Sequence, residues 1–453
     1  MANNLTVVIL AAGAGTRMRS RVPKVLHRLA GRPMISHVVA IAEALGSKPK
    51  KLVVVVGPGH EAVAAAVEPH ISVIQSKPQG TGDAVKAARA HLKTADEVLV
   101  LYGDTPLIRT ATLLKLLAVR RKRRAAAAVL GFRPVDPSPY GRFVTEGGSL
   151  QRIVEAKDAS AEERKIGLCN AGVMAIDGAV VLKLLSGLRN NNAKGEYYLT
   201  DLVALARKAG RECTFIEAAA DELQGINSRG ELAAAEAVMQ QRLRAAAMEN
   251  GATLEDPASV YLSWDTKLGQ DVTIGPHVSF GPGVRVADNV TIKGFCHIEG
   301  ATIGAGAIVG PFARLRPGAA LGEDVHIGNF VEVKASTLAK GAKANHLAYV
   351  GDATVGARVN IGAGVITVNY DGFGKYRTEI GDGAFVGSNA SLIAPVKVGA
   401  GAIIGAGSVI ARDVPKETVA VERSPQSMRA GAAPRLRARN KARAEAAKRK
   451  GKK

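Results

Sequence analysis

Hydrophobic and polar residues in the first half of the chain follow two alternating patterns. Short runs of β-branched and aliphatic residues, typical of buried strands, occur as TVVILA, KLVVVVG, ISVIQ and EVLVLYG. Between them lie stretches rich in Ala, Leu, Glu and Lys with helical spacing, such as 33–45 and 81–92. This alternation predicts a doubly wound α/β sheet, in which ligands collect beyond the carboxyl ends of the strands.

The second half of the chain has a six-residue period instead. Aliphatic or aromatic anchors recur at this spacing, with one five-residue step and one longer gap; they are Leu268, Ile274, Phe280, Val286, Ile292, Ile298, Ile303, Val309, Leu315, Leu321, Ile327, Val333, Ile380, Val386, Leu392, Val398, Ile404 and Ile410. Gly or Ala commonly follows the anchor, so each hexad can form one side of a triangular coil with its anchor inside. The period predicts a parallel β-helix. Residues 343–352 and 369–379 depart from it, and functional groups tend to lie on such irregular segments.

A helix is predicted between the two halves. Ser228 and Glu231 have the spacing of a capping box, and an apolar stripe follows them. The stripe comprises Leu232, Ala235, Val238, Met239, Leu243 and Ala246. Because Asn250-Gly251 would end this helix, we divide the chain into an N-terminal domain (1–227), a connecting helix (228–250), a β-helix domain (251–428) and a tail (429–453).

The chain has the composition of a globular protein, with 453 residues and 47% hydrophobic residues. No segment approaches the apolar length of a membrane span, and residues 1–12 lack the basic region of a secretory signal, so we expect a cytoplasmic protein. Cys169, Cys213 and Cys296 are far apart and form no C-x-x-C pair. We therefore expect buried thiols, with neither a disulfide framework nor a zinc site.

About half of the formal net charge of +21 lies in the tail, where residues 429–453 contain eleven Lys or Arg and one acid, Glu445. This composition predicts a solvated, disordered extension, with a transient helix as the alternative. Contact with RNA or with an anionic lipid surface is the alternative. No aromatic residue lies in the tail, so the base stacking of single-strand binders is not expected.

The stretch ILAAGAGTRMRSRVPKVLH, residues 9–27, runs from a strand into a glycine-rich turn. Such a turn favours an anion, because glycine allows the ligand to approach the backbone and free N–H groups attract phosphate. The dinucleotide fingerprint would need a glycine at Met18, and the Gly-Lys-Ser/Thr ending of a Walker loop is missing. Taken alone, the turn could also be a structural one. Asp104, directly after a strand, is similarly either a Mg²⁺ ligand or a helix cap.

The spacing L-x-x-G-x-G-T-x-M-x4-P-K resembles the signature of sugar-1-phosphate nucleotidyltransferases; its residues here are Leu10, Gly13, Gly15, Thr16, Met18, Pro23 and Lys24. With the hexads, residues 5 to about 428 resemble the bacterial family of bifunctional N-acetylglucosamine-1-phosphate uridyltransferases and glucosamine-1-phosphate N-acetyltransferases. The resemblance implies a Rossmann-like nucleotidyltransferase domain, a connecting helix and a left-handed β-helix. It also implies two reactions that together make UDP-N-acetylglucosamine for cell-wall synthesis. Val22, where leucine usually precedes Pro-Lys, and the basic tail depart from the family pattern.

The resemblance assigns the N-terminal domain UTP as co-substrate and Mg²⁺ as cofactor. The implied nucleotide-binding residues are Leu10, Ala11, Ala12, Gly13, Lys24, Gln75, Gly80, Thr81, Tyr102, Gly103 and Asp104. The implied N-acetylglucosamine-phosphate residues are Gly141, Glu155, Asn170, Tyr197 and Asn227. Asp104 and Asn227 form the implied metal pair. Arg17 and Lys24 are the expected catalytic cations, because negative charge develops as pyrophosphate leaves.

For the β-helix the resemblance implies a homotrimer with acetyl-CoA between neighbouring coils. The implied glucosamine-phosphate residues are Arg316, Lys334, Tyr349 and Asn360. The implied acetyl-CoA residues are Ala363, Asn369, Tyr370, Lys375, Ser388, Ala406 and Arg423. His346 is the expected general base, because an ammonium group must lose a proton before it can attack a thioester.

Three interpretations follow from the sequence. The favoured one is the enzyme with two activities acting on small-molecule substrates. The second is a single-function nucleotidyltransferase with a purely structural β-helix, for which a lone histidine beside a turn is merely a surface residue. The third is a nucleic-acid-associated protein that uses its tail.

Overall fold

The computed structural model describes residues 4–13, 15–46 and 51–450. They divide into two compact units, the first comprising Met1–Lys267 with Ser279–Gly283 and the second Leu268–Val278 with Val284–Lys453. None of the helices in these described ranges is long and apolar enough to cross a membrane.

A mixed β-sheet forms the centre of the first unit. Its middle strand, Leu5–Ala11, is entirely buried and pairs in parallel with Lys51–Val56 on one side and Glu97–Tyr102 on the other. Ile71–Ile74 extends the sheet beyond Lys51–Val56. These four strands are those predicted from the apolar runs. The other strands of the unit are Arg28–Leu29, Arg32–Pro33, Ala127–Phe132, Arg142–Glu146, Ser149–Val154, Cys169–Asp177, Cys213–Glu217 and Thr253–Leu254.

The sheet departs from a purely parallel doubly wound arrangement in one respect. Cys169–Asp177 runs antiparallel between Glu97–Tyr102 and Ala127–Phe132. The chain before it forms the hairpin Arg142–Glu146 with Ser149–Val154. Because an antiparallel return needs no crossover helix, the apolar run alone could not reveal the direction of this strand.

Helices cover both faces of the sheet, and apolar clusters lie on each side of it. The α-helices of the first unit are Met34–Glu43, Glu61–Ala65, Thr81–Ala87, Arg89–Leu92, Thr110–Arg123, Ala161–Arg164, Gly178–Gly187, Asp201–Lys208, Ala220–Leu223 and Arg229–Glu249. Single 3₁₀ turns occur at Thr16–Met18, Lys24–Leu26 and Pro257–Ser259. The helix predicted over 81–92 is therefore two helices, and the helix predicted over 228–250 is Arg229–Glu249.

The second unit is a parallel β-helix with three ladders. Ladder 1 contains Thr273–Ile274, Thr291–Ile292, Ile308–Val309, His326–Asn329, Lys343–His346, Asn360–Ile361, Phe385–Val386, Ile403–Ile404 and Val419–Ala420. Ladder 2 contains His297–Ile298, Arg314–Leu315, Glu332–Lys334, Tyr349–Gly351, Ile366–Val368, Ser391–Ile393 and Val409–Ile410. Ladder 3 contains Arg285–Val286, Thr302–Ile303, Ala320–Leu321, Thr337–Leu338, Ala353–Val355, Thr378–Ile380 and Val396–Val398. Ser279–Phe280 is a further short strand of the first unit, and the strand Lys267–Leu268 comprises the last residue of Met1–Lys267 and the first residue of the second unit.

The chain passes from ladder 1 to ladder 2 to ladder 3 in each coil. Every hexad anchor is buried except Leu268, which is half-buried, so the predicted inward face is confirmed. Residues 343–352, which depart from the six-residue period in sequence, stay within the coil, because Lys343–His346 and Tyr349–Gly351 pair regularly within their ladders. Residues 369–377 do form an insertion between ladder 2 and ladder 3.

The basic tail contains a helix, Ala432–Lys450, and every residue from 433 to 447 is exposed. The structure has this helix where the tail was predicted to be disordered, so it agrees with the alternative to that prediction. Ala, Arg and Lys are strong helix formers, so local propensity favours this helix although it buries no apolar face. The three cysteines are buried and unpaired, as expected.

Candidate active sites

A cavity of about 270 Å³ lies beyond the carboxyl ends of Leu5–Ala11 and Glu97–Tyr102. It is lined by Leu10, Ala11, Ala12, Gly13, Lys24, Val25, Gln75, Pro78, Gly80, Thr81, Ala84, Tyr102, Asp104 and Glu196. All the predicted nucleotide residues except Gly103 are in this lining. A Cβ atom on Gly103 would lie 2.8 Å from Ile35 Cδ1, so this glycine allows close packing beneath the cavity.

The glycine-rich turn positions Lys24 through a close contact. Gly15 has a φ of 61°, and a Cβ atom there would lie only 2.6 Å from Lys24 Cβ. Glycine is therefore needed at this position for two reasons, the left-handed backbone and the approach of Lys24. Arg17 is exposed on the 3₁₀ turn Thr16–Met18 and does not belong to the cavity lining.

The two predicted metal ligands converge on one cation. Lys24 Nζ donates to Asp104 Oδ2 at 2.5 Å and to Asn227 Oδ1 at 2.9 Å. The loops that carry these oxygens are joined where Ile226 N–H donates to the Asp104 carbonyl at 2.9 Å. Carboxylate and amide oxygens suit Mg²⁺, which keeps several water or phosphate ligands. In the described ranges no group of three or more His, Cys, Asp or Glu could hold a metal ion.

The connecting helix holds Asn227 in place. Ser228 Oγ accepts from Glu231 N–H at 3.2 Å, as a capping residue should. Glu231 Oε2 accepts from Asn227 N–H at 2.7 Å and from Ser228 Oγ at 3.0 Å. The predicted cap at Ser228 is therefore confirmed, whereas the Glu231 carboxylate bonds the N–H one residue before the cap and so holds the backbone of Asn227, the predicted metal ligand.

The predicted sugar residues lie on neighbouring loops of the same unit. Asn170 N–H donates to the Gly141 carbonyl at 2.8 Å. Thr200 Oγ1 donates to Glu155 Oε1 at 2.9 Å. Burial raises the pKa of Glu155 above its usual range, although the Thr200 hydrogen bond opposes this shift. Burial also raises the pKa of Tyr102, and the nearby charge of Glu155 adds to that effect.

Tyr197 connects its loop to the nucleotide loop. Its N–H donates to the Gln79 carbonyl at 2.8 Å, and its carbonyl accepts from Gly82 N–H at 2.8 Å. A Cβ atom on Gly80 would lie 2.7 Å from the same carbonyl, so glycine is required there as well. Lys86 Nζ lies 4.0 Å from the centre of the Tyr197 ring, which is a cation–π contact.

One group of charged residues in the β-helix lies where ladder 2 ends and ladder 3 begins, which we call corner 2/3. Lys334 Nζ lies 3.2 Å from Asp352 Oδ2, and Asn369 Nδ2 donates to the same oxygen at 2.5 Å. Burial acts to raise the pKa of Asp352, but these two donors lower it below its usual range. The neighbouring ammonium of Lys334 lowers the pKa of Lys375, so two cations lie close together here.

Further residues extend this group across the ladder 2 face. Arg316 donates to Glu332 Oε1 at 2.8 Å, one coil away. Tyr349 OH accepts from Asn369 Nδ2 at 3.4 Å. Tyr370 is exposed, and its hydroxyl donates to the Gly372 carbonyl at 2.6 Å. Corner 2/3 therefore holds the predicted phosphate ligands of the acetyl-transfer site together with three of its predicted acetyl-CoA residues.

His346 lies at a different corner, between ladder 1 and ladder 2, which we call corner 1/2. Its Nδ1 is 2.8 Å from Asn329 Oδ1. Because an amide oxygen only accepts hydrogen bonds, Nδ1 is the donor in this contact, and Nε2 is the ring nitrogen that a general base would use.

The other predicted acetyl-CoA residues continue corner 1/2 along successive coils. Gly364 N–H donates to the His346 carbonyl at 3.3 Å, and Asn389 N–H to the Ala363 carbonyl at 2.7 Å. Gly407 N–H donates to the Ser388 carbonyl at 2.8 Å. Arg423 donates to the Ala406 carbonyl at 2.8 Å. Asn360 begins a strand of ladder 1, so it lies on the adjoining face.

Sequence reasoning missed the side chains that pair with the predicted groups. Glu332, Asp352 and Asn329 each lie about one coil from the residue they contact, at separations of 16 to 18 positions. Glu196 in the nucleotide cavity was missed for a similar reason, since it is distant in sequence from the glycine turn. The coil period was the available signal for the first three. For Glu196 the sequence offered none.

Comparisons with known proteins agree with both halves of the chain. Residues 7–171 match the model of the MobA-like NTP transferase domain, and residues 265–300, 300–335 and 377–412 match that of the bacterial transferase hexapeptide repeat. Hexapeptide repeats in parallel ladders give the predicted left-handed β-helix.

Curated relatives match almost the entire chain. The "Bifunctional protein GlmU" of Paramagnetospirillum magneticum is 58% identical over 97% of this chain and 98% of its own length. The protein of the same name from Rhodospirillum rubrum is 60% identical over 95% of this chain and 97% of its own. That from Xanthobacter autotrophicus is 57% identical over 96% and 98%. With this identity over nearly the full length, the chain belongs to the GlmU family of bifunctional proteins.

Proposed function

We propose that this chain makes UDP-N-acetylglucosamine by two transfer reactions at separate sites. The β-helix acetylates glucosamine 1-phosphate with acetyl-CoA, and the N-terminal unit joins the product to UTP. The convergence of Asp104 and Asn227 on the Lys24 ammonium carries the proposal for the second reaction. The pairing of His346 with Asn329 carries it for the first.

In uridylyl transfer, a phosphate oxygen of the sugar attacks the α-phosphorus of UTP in line, and pyrophosphate leaves. The backbone from Leu10 to Gly13 and the side chain of Gln75 hold the nucleotide, while Gly141, Glu155, Asn170 and Tyr197 hold the sugar. Lys24 and Arg17 neutralise the charge that develops on the leaving group. No protein nucleophile is needed, so positioning supplies most of the catalysis.

Asp104 and Asn227 would hold Mg²⁺ in this reaction, and the metal would supply positive charge between the phosphates. In the structure Lys24 contacts both oxygens. Lys24 Nζ therefore lies beside the oxygens that would hold the metal, and its ammonium group would donate to a phosphate oxygen of the nucleotide.

In acetyl transfer, the amine nitrogen of glucosamine 1-phosphate attacks the thioester carbonyl carbon, and the C–S bond breaks. His346 Nε2 takes the proton from the amine, and the CoA thiolate leaves. Asn329 keeps the proton on Nδ1 and so keeps Nε2 available. Arg316 and Lys334 pair with the sugar phosphate. Lys375, assigned to acetyl-CoA by the resemblance, lies beside Lys334 at the same corner.

The distribution of these groups over two corners supports a homotrimer. Within one coil, His346 and the corner that carries Asp352 lie at opposite ends of the ladder 2 face. A sugar phosphate held at corner 2/3 would reach a histidine at corner 1/2 of a neighbouring subunit. Acetyl-CoA then lies between the β-helices of two subunits, along corner 1/2 and past Ala363, Ser388, Ala406 and Arg423.

The single-function alternative, with a structural β-helix, is less well supported. A structural coil needs its buried anchors but not three cations and a hydrogen-bonded histidine on its surface. The nucleotidyltransferase unit alone would explain none of these groups.

Separate assays of the purified chain test the proposal. We expect UTP and N-acetylglucosamine 1-phosphate to give pyrophosphate, and acetyl-CoA with glucosamine 1-phosphate to give free CoA. Asp104→Ala should abolish the first activity and leave the second, while His346→Ala should lower the second by about 10² or more and leave the first. Each variant is the control for the other. Loss of both activities in either folded variant, or acetyl transfer that survives His346→Ala unchanged, would contradict the two-site proposal.

A further inference from the structure

The helix Ala432–Lys450 lies outside the machinery of both proposed reactions. Its sequence contains eight Lys or Arg and one acid, Glu445. Residues 433–447 are all exposed, so these charges are not used to pack the helix against the β-helix. A segment with this charge density in solvent attracts polyanions.

The described cations form two rows on this helix. Arg435, Arg439 and Arg443 are spaced four residues apart, and so are Arg437 and Lys441. Residues four apart lie on the same side of an α-helix, whereas residues two apart are separated by about 200°. The two rows therefore run along opposite sides of the helix.

Cations on two opposite sides of the helix distinguish between two classes of polyanionic partner, a membrane surface and a nucleic-acid duplex. A flat anionic membrane can contact only one side of a helix at a time, and interfacial helices also insert bulky apolar residues. Leu436, which is 48% exposed, is the only apolar residue larger than Ala or Pro from 432 to 447. A groove in a nucleic-acid duplex presents a row of phosphates on each side of an inserted helix, so it can engage both rows.

The duplex geometry narrows the partner further. An α-helix is about 10–12 Å in diameter, and the major groove of B-form DNA is about 12 Å wide. The corresponding groove of A-form RNA is deep and narrow. We propose that the helix Ala432–Lys450 binds the major groove of double-stranded DNA through phosphate contacts from both rows. The binding does not depend on base sequence, because the cations meet phosphates and no aromatic residue lies in the tail.

This inference goes beyond the proposed function and does not depend on it. It gives the chain a second, electrostatic interaction that holds the enzyme at DNA without touching either catalytic site. Both transfer activities should therefore be the same with and without the tail.

Fluorescence anisotropy with a labelled duplex of about two helical turns tests the proposal. Five phosphate contacts predict that affinity falls on the order of 10²–10³-fold between about 50 and 200 mM salt. A chain that ends at Met428 should lose DNA binding and keep both activities. Equal DNA binding by that shortened chain, or no binding by the full chain at the lower salt concentration, would overturn the proposal.

Variants of the two rows in the full chain test the geometry. Arg435, Arg439 and Arg443 changed together to Gln should reduce the salt slope by about 3, and Arg437 with Lys441 changed to Gln should reduce it by about 2. Lys115→Gln with Lys122→Gln, two exposed cations of the first unit, is the matched control and should change nothing. If only one row matters, or if vesicles containing anionic lipid bind more tightly than DNA, the helix is a membrane ligand and the proposal is wrong. Duplex RNA should bind more weakly than DNA, and equal binding would also overturn the groove assignment.

Discussion

Gly15 positions Lys24 because a glycine leaves room for the lysine side chain to approach the backbone. Its φ of 61° is unfavourable for any residue with a Cβ atom, and that atom would meet Lys24 Cβ at 2.6 Å. Lys24 Nζ in turn reaches both proposed metal ligands. A side chain at position 15 must therefore displace the cation on which Asp104 and Asn227 converge.

We expect Gly15→Ala to lower kcat for uridylyl transfer by about 10², because a displacement of about 1 Å at a catalytic group has an effect of that size. Acetyl transfer should not change. Gly230→Ala is the matched control, since a Cβ atom there has no neighbour within 4 Å. Steady-state kinetics of both reactions measure the effect. Unchanged uridylyl transfer in Gly15→Ala would mean that Lys24 is not held by this contact.

Glu155 should make stability depend on pH. Burial raises its pKa in the folded state above the ordinary value for a glutamate, so the folded protein binds this proton more tightly than the unfolded chain does. The resulting stabilisation is fully present below the unfolded pKa and is lost as pH rises through the raised folded pKa. Glu155→Gln removes this dependence.

Urea unfolding of the parent and Glu155→Gln proteins between about pH 4 and pH 7 measures this effect. As pH rises, the parent should lose stabilisation that the variant does not have to lose, so the free energy of unfolding of the variant should increase relative to that of the parent. Thr200→Val should enlarge the gain, because Thr200 donates to the carboxylate at 2.9 Å and favours its charged form. A difference between parent and Glu155→Gln that stays constant with pH would show that the pKa is not raised.

At the scale of elements, the sequence predicted best where a single period governs burial. The hexad anchors are inside the coil because each turn of the β-helix repeats the same environment. In the first unit, neighbouring strands come from distant parts of the chain. The composition of Cys169–Asp177 does not indicate that this strand runs antiparallel to its neighbours. Gln240 in the connecting helix is 2% exposed and bonds both the N–H and the carbonyl of Leu262. Only the fold reveals such a partner.

The same distinction applies to the candidate sites. The resemblance supplied the groups that would contact substrates, and the structure brings most of them to the cavity or to the two corners. Asn329, Glu332 and Asp352, which hold those groups, are not adjacent to them in sequence. These residues pair only because successive coils stack in register. The inserted loop at 369–377 interrupts the six-residue period, so counting hexads along the sequence does not show which residues lie above one another.

The connecting helix allows a prediction at this scale. Glu231 at its start accepts from Asn227 N–H at 2.7 Å, so we expect Glu231→Ala to weaken the proposed Mg²⁺ site. The concentration of Mg²⁺ that gives half-maximal uridylyl transfer should rise several-fold, by analogy with supporting residues at other metal sites. Acetyl transfer should stay the same. Glu249→Ala, at the exposed end of the same helix, is the matched control. An unchanged requirement for Mg²⁺ would remove Asn227 from the metal pair.

At the scale of the whole molecule, the two corners of the β-helix constrain how the protein assembles. His346 is at corner 1/2, and Lys334, Asn369 and Lys375 are at corner 2/3. A monomer would keep these groups at opposite ends of a face. An assembly that places corner 1/2 of one subunit against corner 2/3 of its neighbour would complete one acetyl-transfer site at each interface. In a closed ring of three subunits every corner is then used.

Mixing inactive subunits tests this arrangement directly. Each site is expected to take His346 from one subunit and Lys334 from its neighbour. Co-expressed His346→Ala and Lys334→Ala chains should therefore regain about a quarter of the parent acetyl-transfer activity. In randomly assembled trimers, one interface in four combines an intact His346 with an intact Lys334. Uridylyl transfer should be unaffected in every mixture, because its residues all lie in the first unit. Arg316→Ala mixed with Lys334→Ala is the control, and it should regain nothing because both residues belong to the same corner. Light scattering should find three chains in each active mixture. Failure of the His346 and Lys334 mixture to recover activity, with trimers present, would place both residues in one subunit and would require the sugar phosphate to lie along a single coil.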